Sequence, residues 1–334
     1  MSERHTDDVQ LDGPVLFARV LNGMGGGRRI DWAEAKDWQP AAPGEILWLH
    51  LCRTADGIQQ WLEGKGIPEP TTELLVSDET RPRALREGNA LVATLRGINF
   101  NPGAEPEDMV AMQLWSDGIT LVTLRRHRLQ SPRDILAEID RGTGPGDAGR
   151  IVTDLVEALI NRMNTAIVDM NDTIDTLEDC DLDKVDTDEM LAKIAAIRRN
   201  CLGLQRHMAP QHEALETISR VAPDWFESED RREIAESIDR LRRFLEDINI
   251  SKESALVLQD DIRARAIASS ERTNYLLTIV AAIFLPLGFL TGLMGINVGG
   301  MPWVDNPDGF WIVGGLCFAI LLVQLALFWK WKWL

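Results

Sequence analysis

The sequence predicts an α+β membrane protein with an N-terminal α/β domain, a long helical stalk and two C-terminal transmembrane helices. Strand-like runs alternate with short helical segments up to about residue 125, and helical periodicity dominates from Arg150 onward. Two uncharged segments near the C-terminus are each long enough to cross a bilayer. We therefore expect five parts: a cytoplasmic α/β domain at 1–149, a helical hairpin at 150–229, a stalk helix continuing into the first span at 230–294, an outward-facing periplasmic loop at 295–309, and the second span with a basic tail at 310–334.

The net charge of the chain is concentrated before the membrane segments. The 334 residues carry a formal net charge of −17. After residue 270 three acids and three bases cancel: Glu271, Asp305 and Asp308 against Arg272, Lys330 and Lys332. An acidic body excludes nucleic acid as an expected partner, since phosphate binding needs a basic face. It fits either a body that attracts cations or one that is acidic for solubility alone.

The N-terminal domain is predicted from five β-rich runs and two helical ones. The runs LFARVL, EILWLHL, ALVATLRGI, MVAMQLW and ITLVTLR are typical of strands, and ADGIQQWLEGK and PTTELLVSD are typical of helices. Ser116-Asp117-Gly118 predicts a hairpin between the last two strands. The stretch GTGPGDAGR at 142–150 is predicted to be a linker, and it lacks the Lys-Ser/Thr pair of a phosphate loop.

Three long helices are predicted next. The first carries apolar positions from Val152 to Leu177, the second runs from about Thr187 to Ser219, and the third begins near Ser228 with acids in its first turn. The seven-residue frame of the third continues to Met294 without a break. One helix of about 95 Å is therefore predicted over 230–294.

The apolar stripe of this third helix predicts how it packs. Its residues alternate in spacings of four and three: Ile234, Ile238, Leu241, Leu245 and Ile248. Such a period predicts packing around a left-handed supercoil. The middle of the stripe is polar or small, at Gln259, Ala266, Ser269 and Thr273, which fits several helices around a wet axis. A loosely packed core would show the same periodicity, and both readings stay open.

The two predicted spans are defined by their lack of charge. Between Arg272 and Asp305 lie 32 uncharged residues, and between Asp308 and Lys330 lie 21. Aromatic residues flank the second segment, as in an interfacial belt; a buried soluble hairpin is the alternative. Lysine and arginine precede the first segment and follow the second but are absent between them, so both termini are predicted to be cytoplasmic.

The end of the first span, FLPLGFLTGLMGINVGGMPW, is unusual because glycines, an asparagine and Met-Pro replace the usual charges. Gly288, Gly292 and Gly295 share one helical strip, where small residues allow close helix approach. Pro286 is tolerated in a span when neighbours satisfy the freed carbonyl. In a symmetric assembly, Asn297 would form a neutral ring that holds a hydrated cation without retaining it.

These features together resemble the CorA superfamily of divalent-cation transporters. The match consists of Gly295-Ile296-Asn297 after a first span, two C-terminal spans, a long preceding helix and the Trp-Lys-Trp-Leu ending. The segment Val298-Gly299-Gly300-Met301-Pro302 and the run LQDDIRARAIASSERTNYLLTIVAAIFLPL resemble the ZntB zinc-transporter branch. The resemblance implies a homopentamer in the bacterial inner membrane, with a cytoplasmic funnel that includes 150–229. It also implies a pore lined by the first span, a second span facing lipid, and zinc uptake coupled to protons.

The resemblance also implies which residues act. Gly295, Ile296 and Asn297 would form the outer selectivity ring. The further pore-facing positions would be Gly292, Gly288, Leu285, Leu277, Asn274 and, deeper in the stalk, Asp260. Three departures are visible: Ile296 stands for the family's Met, Gly288 stands where Thr is common, and the loop after Met-Pro has no Glu. Asp305 and Asp308 in that loop either collect external cations or belong to a solvated turn.

A second cation-binding candidate is the acidic run DTLEDCDLDKVDTDE at 175–189. Cys180, Asp181 and Asp183 supply ligand types that zinc accepts. A solvated helix tip has the same composition. No resident cofactor is expected, because zinc is the cargo. From 273 to 304 Tyr275 alone is ionisable, so protons would have to cross with pore water or with the hydrated ion.

Three functional hypotheses follow. The leading one is proton-coupled zinc transport through a pentameric pore, with the chain itself, the lipid bilayer, divalent cations and protons as partners. The second is a magnesium or cobalt channel of the CorA type. The third is a membrane-tethered cation sensor that conducts nothing. We expect no enzymatic activity, since no nucleophile–base pair, HExxH or phosphate loop occurs at useful spacing.

Overall fold

The structure is a computed structural model that describes residues 14–105, 107–180, 186–296, 302 and 306–331. The chain divides into two compact units, one up to Gln259 and one from Asp260. The predicted order of an α/β domain, a long helix and two C-terminal apolar helices is confirmed. The finer division into five parts stays a prediction.

A seven-stranded sheet forms the centre of the first unit. Its strands are β1 (Val15–Leu21), β2 (Gly27–Arg29), β3 (Ile46–Cys52), β4 (Arg83–Glu87), β5 (Ala90–Gly97), β6 (Val110–Ser116) and β7 (Thr120–Arg125). Their spatial order is β2-β1-β3-β7-β6-β5-β4. Neighbours β3 and β7 run parallel, and the other paired strands of the described sheet are antiparallel. The predicted hairpin is confirmed between β6 and β7, where Asp117 Oδ1 accepts from the amides of Ile119 and Thr120.

Four short elements were absent from the prediction. The short helices of the first unit are α1 (Trp32–Lys36), α2 (Ile58–Gly64), α3 (Glu69–Val76) and α4 (Ser131–Asp140). Of these, α1 and α4 were missed, as were strands β2 and β4. The sequence of β4, RALRE, is mostly charged and half-exposed, because it is an edge strand that carries charge in place of an apolar face.

The predicted linker at 142–150 is instead partly structured. The amide of Gly144 donates to the carbonyl of Gly25 at 2.8 Å. Asp147 caps the next helix by accepting from the amide of Arg150 at 2.7 Å, so that helix begins at Ala148. A glycine-rich composition predicted a connection here, and long-range backbone contacts hold it against the sheet.

Three long helices complete the fold: α5 (Ala148–Glu178), α6 (Thr187–Val221) and α7 (Ser228–Met294). Helix α6 joins the sheet where Gln211 Oε1 accepts from the amide of Arg96 in β5 at 2.6 Å. Helix α7 packs on its neighbours through polar contacts as well, since Ser251 Oγ lies 2.5 Å from Asn171 Oδ1 in α5. The predicted uninterrupted helix through residue 294 is confirmed.

The apolar stripe of α7 packs differently from the prediction. Ile234, Leu241 and Ile248 are fully buried as expected. Between them the buried positions are Ser237 and Phe244, whereas the predicted Ile238 and Leu245 are only half-buried. Positions three and four residues after each buried residue both lie near the packed face. Contacts with the chain's own helices therefore decide which of two neighbouring residues is buried, and spacing alone could not predict this.

Candidate functional site: the C-terminal helices

The second unit consists of two apolar helices whose side chains are almost entirely exposed. They are the end of α7 and α8 (Gly309–Lys330), with mean hydropathies of 2.3 and 2.4 in their most apolar windows. Phe284, Leu285 and Phe289 of α7 are 66%, 71% and 71% exposed. Apolar surface of this extent is unfavourable in water. By length and composition, both helices fit a bilayer.

One hydrogen bond joins the two helices at the proline. Pro286 has no N–H, so the carbonyl four residues earlier, that of Ala282, loses its usual helical donor. Gln324 Nε2 of α8 donates to this carbonyl at 3.2 Å. The expected satisfaction of the freed carbonyl by a neighbour is therefore found within the same chain. Sequence reasoning missed Gln324, although a lone amide inside an apolar span is itself a signal.

The two helices pack through one face of α7. Its residues on this face are buried or half-buried: Ile279, Ala282, Ile283, Leu287, Leu290 and Met294. Their successive spacings of three, one, four, three and four place them on a single side of a helix with 3.6 residues per turn. Part of the predicted apolar stripe therefore packs against α8 of the same chain.

The predicted pore-facing residues lie on the opposite side of α7. Successive spacings of 4, 3, 8, 3 and 14 keep them within about 60° of one line along the helix. All are exposed in the chain: Gly292, Gly288, Leu285, Leu277, Asn274 and Asp260. We call this set the open strip. Between Ile279 and Met294 α8 covers the other side, so the open strip in this stretch is a face of α7 available to something outside the chain; from 263 to 278 every position of α7 is exposed.

The glycines of the open strip have free space around them. A Cβ atom added at Gly288 or Gly292 would meet no atom within 4 Å. Glycine costs helix stability without a packing benefit in this chain alone. Close approach of another molecule to this face would explain why glycine occurs at both positions.

Helix α7 ends where the predicted selectivity residues begin. The amide of Gly295 donates to the carbonyls of Thr291 and Gly292 at 3.0 and 3.1 Å, and that of Ile296 to Leu293 at 3.4 Å. Gly295 and Ile296 are both exposed. Asn297 lies outside the described residues. The prediction that the helix stops at Gly295 is confirmed.

Of the other candidate ligands, two lie within the described residues. Asp308 precedes α8 and makes no side-chain capping bond, and Cys180 is half-buried just after α5. Asp181, Asp183 and Asp305 lie outside the described residues. Within the described ranges, no three His, Cys, Asp or Glu side chains are grouped so that they could hold a metal ion.

Comparison with known proteins gives consistent results across the chain. The family model described as CorA-like Mg2+ transporter protein matches residues 43–330. A Pseudomonas aeruginosa protein described as divalent cation transporter CmaX is 36% identical over 326 residues, which cover 96% of this chain and 97% of the relative. The zinc transport protein ZntB of Pectobacterium atrosepticum is 33% identical over 320 residues, covering 96% and 94% of the two chains.

Solved structures agree. The full-length CmaX protein matches with a TM-score of 0.84 at 36% identity and covers 96% of this chain and 98% of that one. The CorA magnesium transporter of Methanocaldococcus jannaschii matches with a TM-score of 0.78 at 16% identity, a likeness of fold alone. Both the family model and the relatives span nearly the whole sequence, and we conclude that the chain belongs to the CorA-like Mg2+ transporter protein family.

Proposed function

We propose that this chain transports divalent cations across the bacterial inner membrane as a homopentamer, and that its main cargo is zinc, taken up together with protons. The observation that carries the proposal is the open strip. Glycines, polar residues and two leucines form an exposed line on one side of α7, and between Ile279 and Met294 the opposite side packs against α8. Several copies facing a common axis would turn these strips into one pore lining, with α8 outside against lipid.

Exposed apolar residues on the stalk support self-association. In the first unit Ile250 and Val257 of α7 are 64% and 71% exposed and lie one heptad apart. Isolated exposed apolar side chains are ordinary, but a heptad pair on a long helix is typical of a helix–helix contact. A second copy of the same helix would bury both.

The lining fits an ion that keeps part of its hydration shell. The open strip contributes the amide of Asn274 and the bare backbone of Gly288 and Gly292, and Asn297 would add amide oxygens at the outer end. Neutral oxygen ligands hold a divalent ion weakly enough for release. The relatives named ZntB support zinc as the cargo, whereas the family description supports magnesium as the second candidate.

Proton coupling would use water rather than a side-chain relay. No Asp, Glu, His, Lys or Arg occurs from 273 to 304. Proton carriers usually hold such a group inside the membrane. We therefore propose that protons move through pore water or on the water bound to the ion. The positive charges before the first span and after the second support cytoplasmic termini.

The test is flux into liposomes that contain the purified full-length protein. Zinc and magnesium entry are measured separately, each with and without an inward proton gradient. Asn297→Ala is expected to lower flux at least tenfold. The matched control is Asn306→Ala, the same change in the same inter-helix connection, where Asn306 Oδ1 accepts from the amide of Asp308 at 2.9 Å.

The outcomes separate the candidates. Zinc flux that rises with the proton gradient and is lost in Asn297→Ala alone supports the proposal. Magnesium flux that ignores the gradient supports the channel alternative. No flux of either ion, together with a cation-dependent change in the stalk helices, would replace transport with a sensor function.

A further inference from the structure

A cavity of about 460 Å³ lies in the first unit, at the ends of several strands of the sheet. Arg53 directly follows β3, and Arg126 with His127 directly follows the parallel neighbour β7. Strand β5, which runs in the same direction as β7, ends beside them with Arg96 near its end. Ligands of α/β sheets commonly bind outside the carboxyl ends of parallel strands. We call this space the strand-end cavity.

The strand-end cavity is basic although the protein is acidic. Its lining includes three arginines and two histidines against two aspartates: Arg53, Arg96, Arg126, His127 and His207 against Asp78 and Asp108. The chain as a whole carries −17. Six separate segments supply these residues, so the local excess of positive groups is a product of the fold.

Two of the guanidinium groups converge on one oxygen. Arg53 Nη2 lies 2.9 Å and Arg126 Nη1 3.3 Å from Asp78 Oδ1. The side chain of Arg53 is only 4% exposed, whereas that of Asp78 is 81% exposed. Buried Arg53 Nε has no hydrogen-bond partner in the described part of the chain. Arg53 also donates through Nη1 to the carbonyl of Ser77. Its charge is thus paired with a surface carboxylate that solvent reaches freely, and one donor, Nε, is left over.

The third arginine meets only neutral acceptors in its hydrogen bonds. Arg96 donates through Nε to the carbonyl of Thr80 at 2.9 Å, through Nη2 to Thr80 Oγ1 and through Nη1 to the carbonyl of Met109, both at 2.5 Å. Nearby, the pKa of His207 is lowered to about 4, first by burial and then by the positive charges of Arg96 and Arg206, against the opposing effect of Asp108. These residues face an excess of positive charge.

We propose that the strand-end cavity binds a small phosphate-bearing molecule of nucleotide size. Guanidinium groups match phosphate oxygens in geometry and charge, and phosphate accepts from several of them at once. The volume exceeds what inorganic phosphate fills and lies within the usual range for small-molecule sites. Asp78 lies in the irregular connection after α3, where no helix or strand fixes its position. We therefore expect an incoming phosphate to displace the Asp78 carboxylate and to take its place between Arg53 and Arg126.

The test is calorimetric titration of the full-length protein in detergent at constant salt. The probes are inorganic phosphate, adenosine monophosphate and adenosine. We expect the monophosphate to bind, inorganic phosphate to bind more weakly and adenosine not to bind. Arg126→Gln should weaken monophosphate binding at least tenfold, since a charge-assisted contact is lost. This side chain is 53% exposed, so the variant should fold.

The matched control is Arg232→Gln on α7, which removes the same charge from a side chain that is 71% exposed and makes only helical ion pairs in the described structure. It should leave binding unchanged.

The proposal is overturned if neither phosphate probe binds at millimolar concentration. It is also overturned if Arg126→Gln and Arg232→Gln weaken binding equally, since that would indicate a general charge effect. Binding of adenosine as tightly as its monophosphate would contradict phosphate recognition. These outcomes are independent of ion flux, so failure of this site leaves the transport proposal unaffected.

Discussion

Replacement of Gln324 by leucine tests the contact that joins the two C-terminal helices. The change keeps a side chain of similar size but replaces the polar amide, and so removes the donor that lies 3.2 Å from the Ala282 carbonyl. Because Pro286 supplies no N–H, that carbonyl would be left without a donor in an apolar environment. Side-chain hydrogen bonds between membrane helices contribute about 0.6–2 kcal/mol. We expect Gln324→Leu to lower the free energy of unfolding by about 1–2 kcal/mol.

The proline provides the internal check. In Pro286→Ala an N–H returns four residues after Ala282, and the carbonyl regains its helical bond. Gln324→Leu in this background should cost only a few tenths of a kcal/mol, which leaves a coupling energy of about 1 kcal/mol between the two positions.

The assay is reversible unfolding of the full-length protein in mixed micelles, followed by helix content, for the wild type, both single variants and the double variant. Val323→Leu, at a neighbouring position of α8 that is 59% exposed, serves as the neutral control. An equal cost of Gln324→Leu with and without Pro286 would show that the amide does not serve the carbonyl, and the reasoning would be wrong.

Three further predictions concern the glycines, a buried acid and the helix–sheet packing. Gly292→Ala should reduce liposome flux strongly, whereas Gly315→Ala on α8 should not, since neither added Cβ meets an atom within 4 Å of its own chain and only the first faces the proposed pore. Burial raises the pKa of Asp154 to about 6 against the opposing charge of Arg150, and the nearby acids Glu233, Glu138 and Glu157 add to the rise. Asp154 therefore binds its proton more tightly in the folded state than in the unfolded state, and the free energy of unfolding falls as pH rises from about 4 to 6. In Asp154→Asn up to about 3 kcal/mol of this fall should be absent, as measured by thermal melts across the same pH range. Gly97→Ala would place Cβ 2.6 Å from Leu159 Cδ2 and 3.0 Å from Leu129 Cδ1, and it should cost about 1–3 kcal/mol in chemical unfolding. In a Leu159→Ala background most of this cost should disappear, because the closest contact is removed.

Several features were predictable because they depend on local composition. The two spans follow from uncharged length, and the continuous helix α7 follows from an apolar frame that no proline or glycine breaks before residue 286. The hairpin at Ser116-Asp117-Gly118 follows from turn chemistry. In each case the determining residues are neighbours in the chain, so pattern alone carries the information.

Other features needed the tertiary structure. Spacing could not distinguish Ser237 from Ile238 as the buried residue, because both lie near the same face and the contacting helices decide. Nor could it pair Gln324 with Ala282, 42 residues apart.

The strand-end cavity is the clearest case. Its arginines and histidines are scattered from Arg53 to His207 within an acidic chain, and the parallel pairing of β3 with β7 brings Arg53 and Arg126 to one edge. Composition along the chain determined the membrane helices, because insertion into a bilayer depends on the hydrophobicity of each residue in one continuous segment. Strand order determined the basic cavity, because the potential at a point depends on which distant charges the fold brings within a few ångströms.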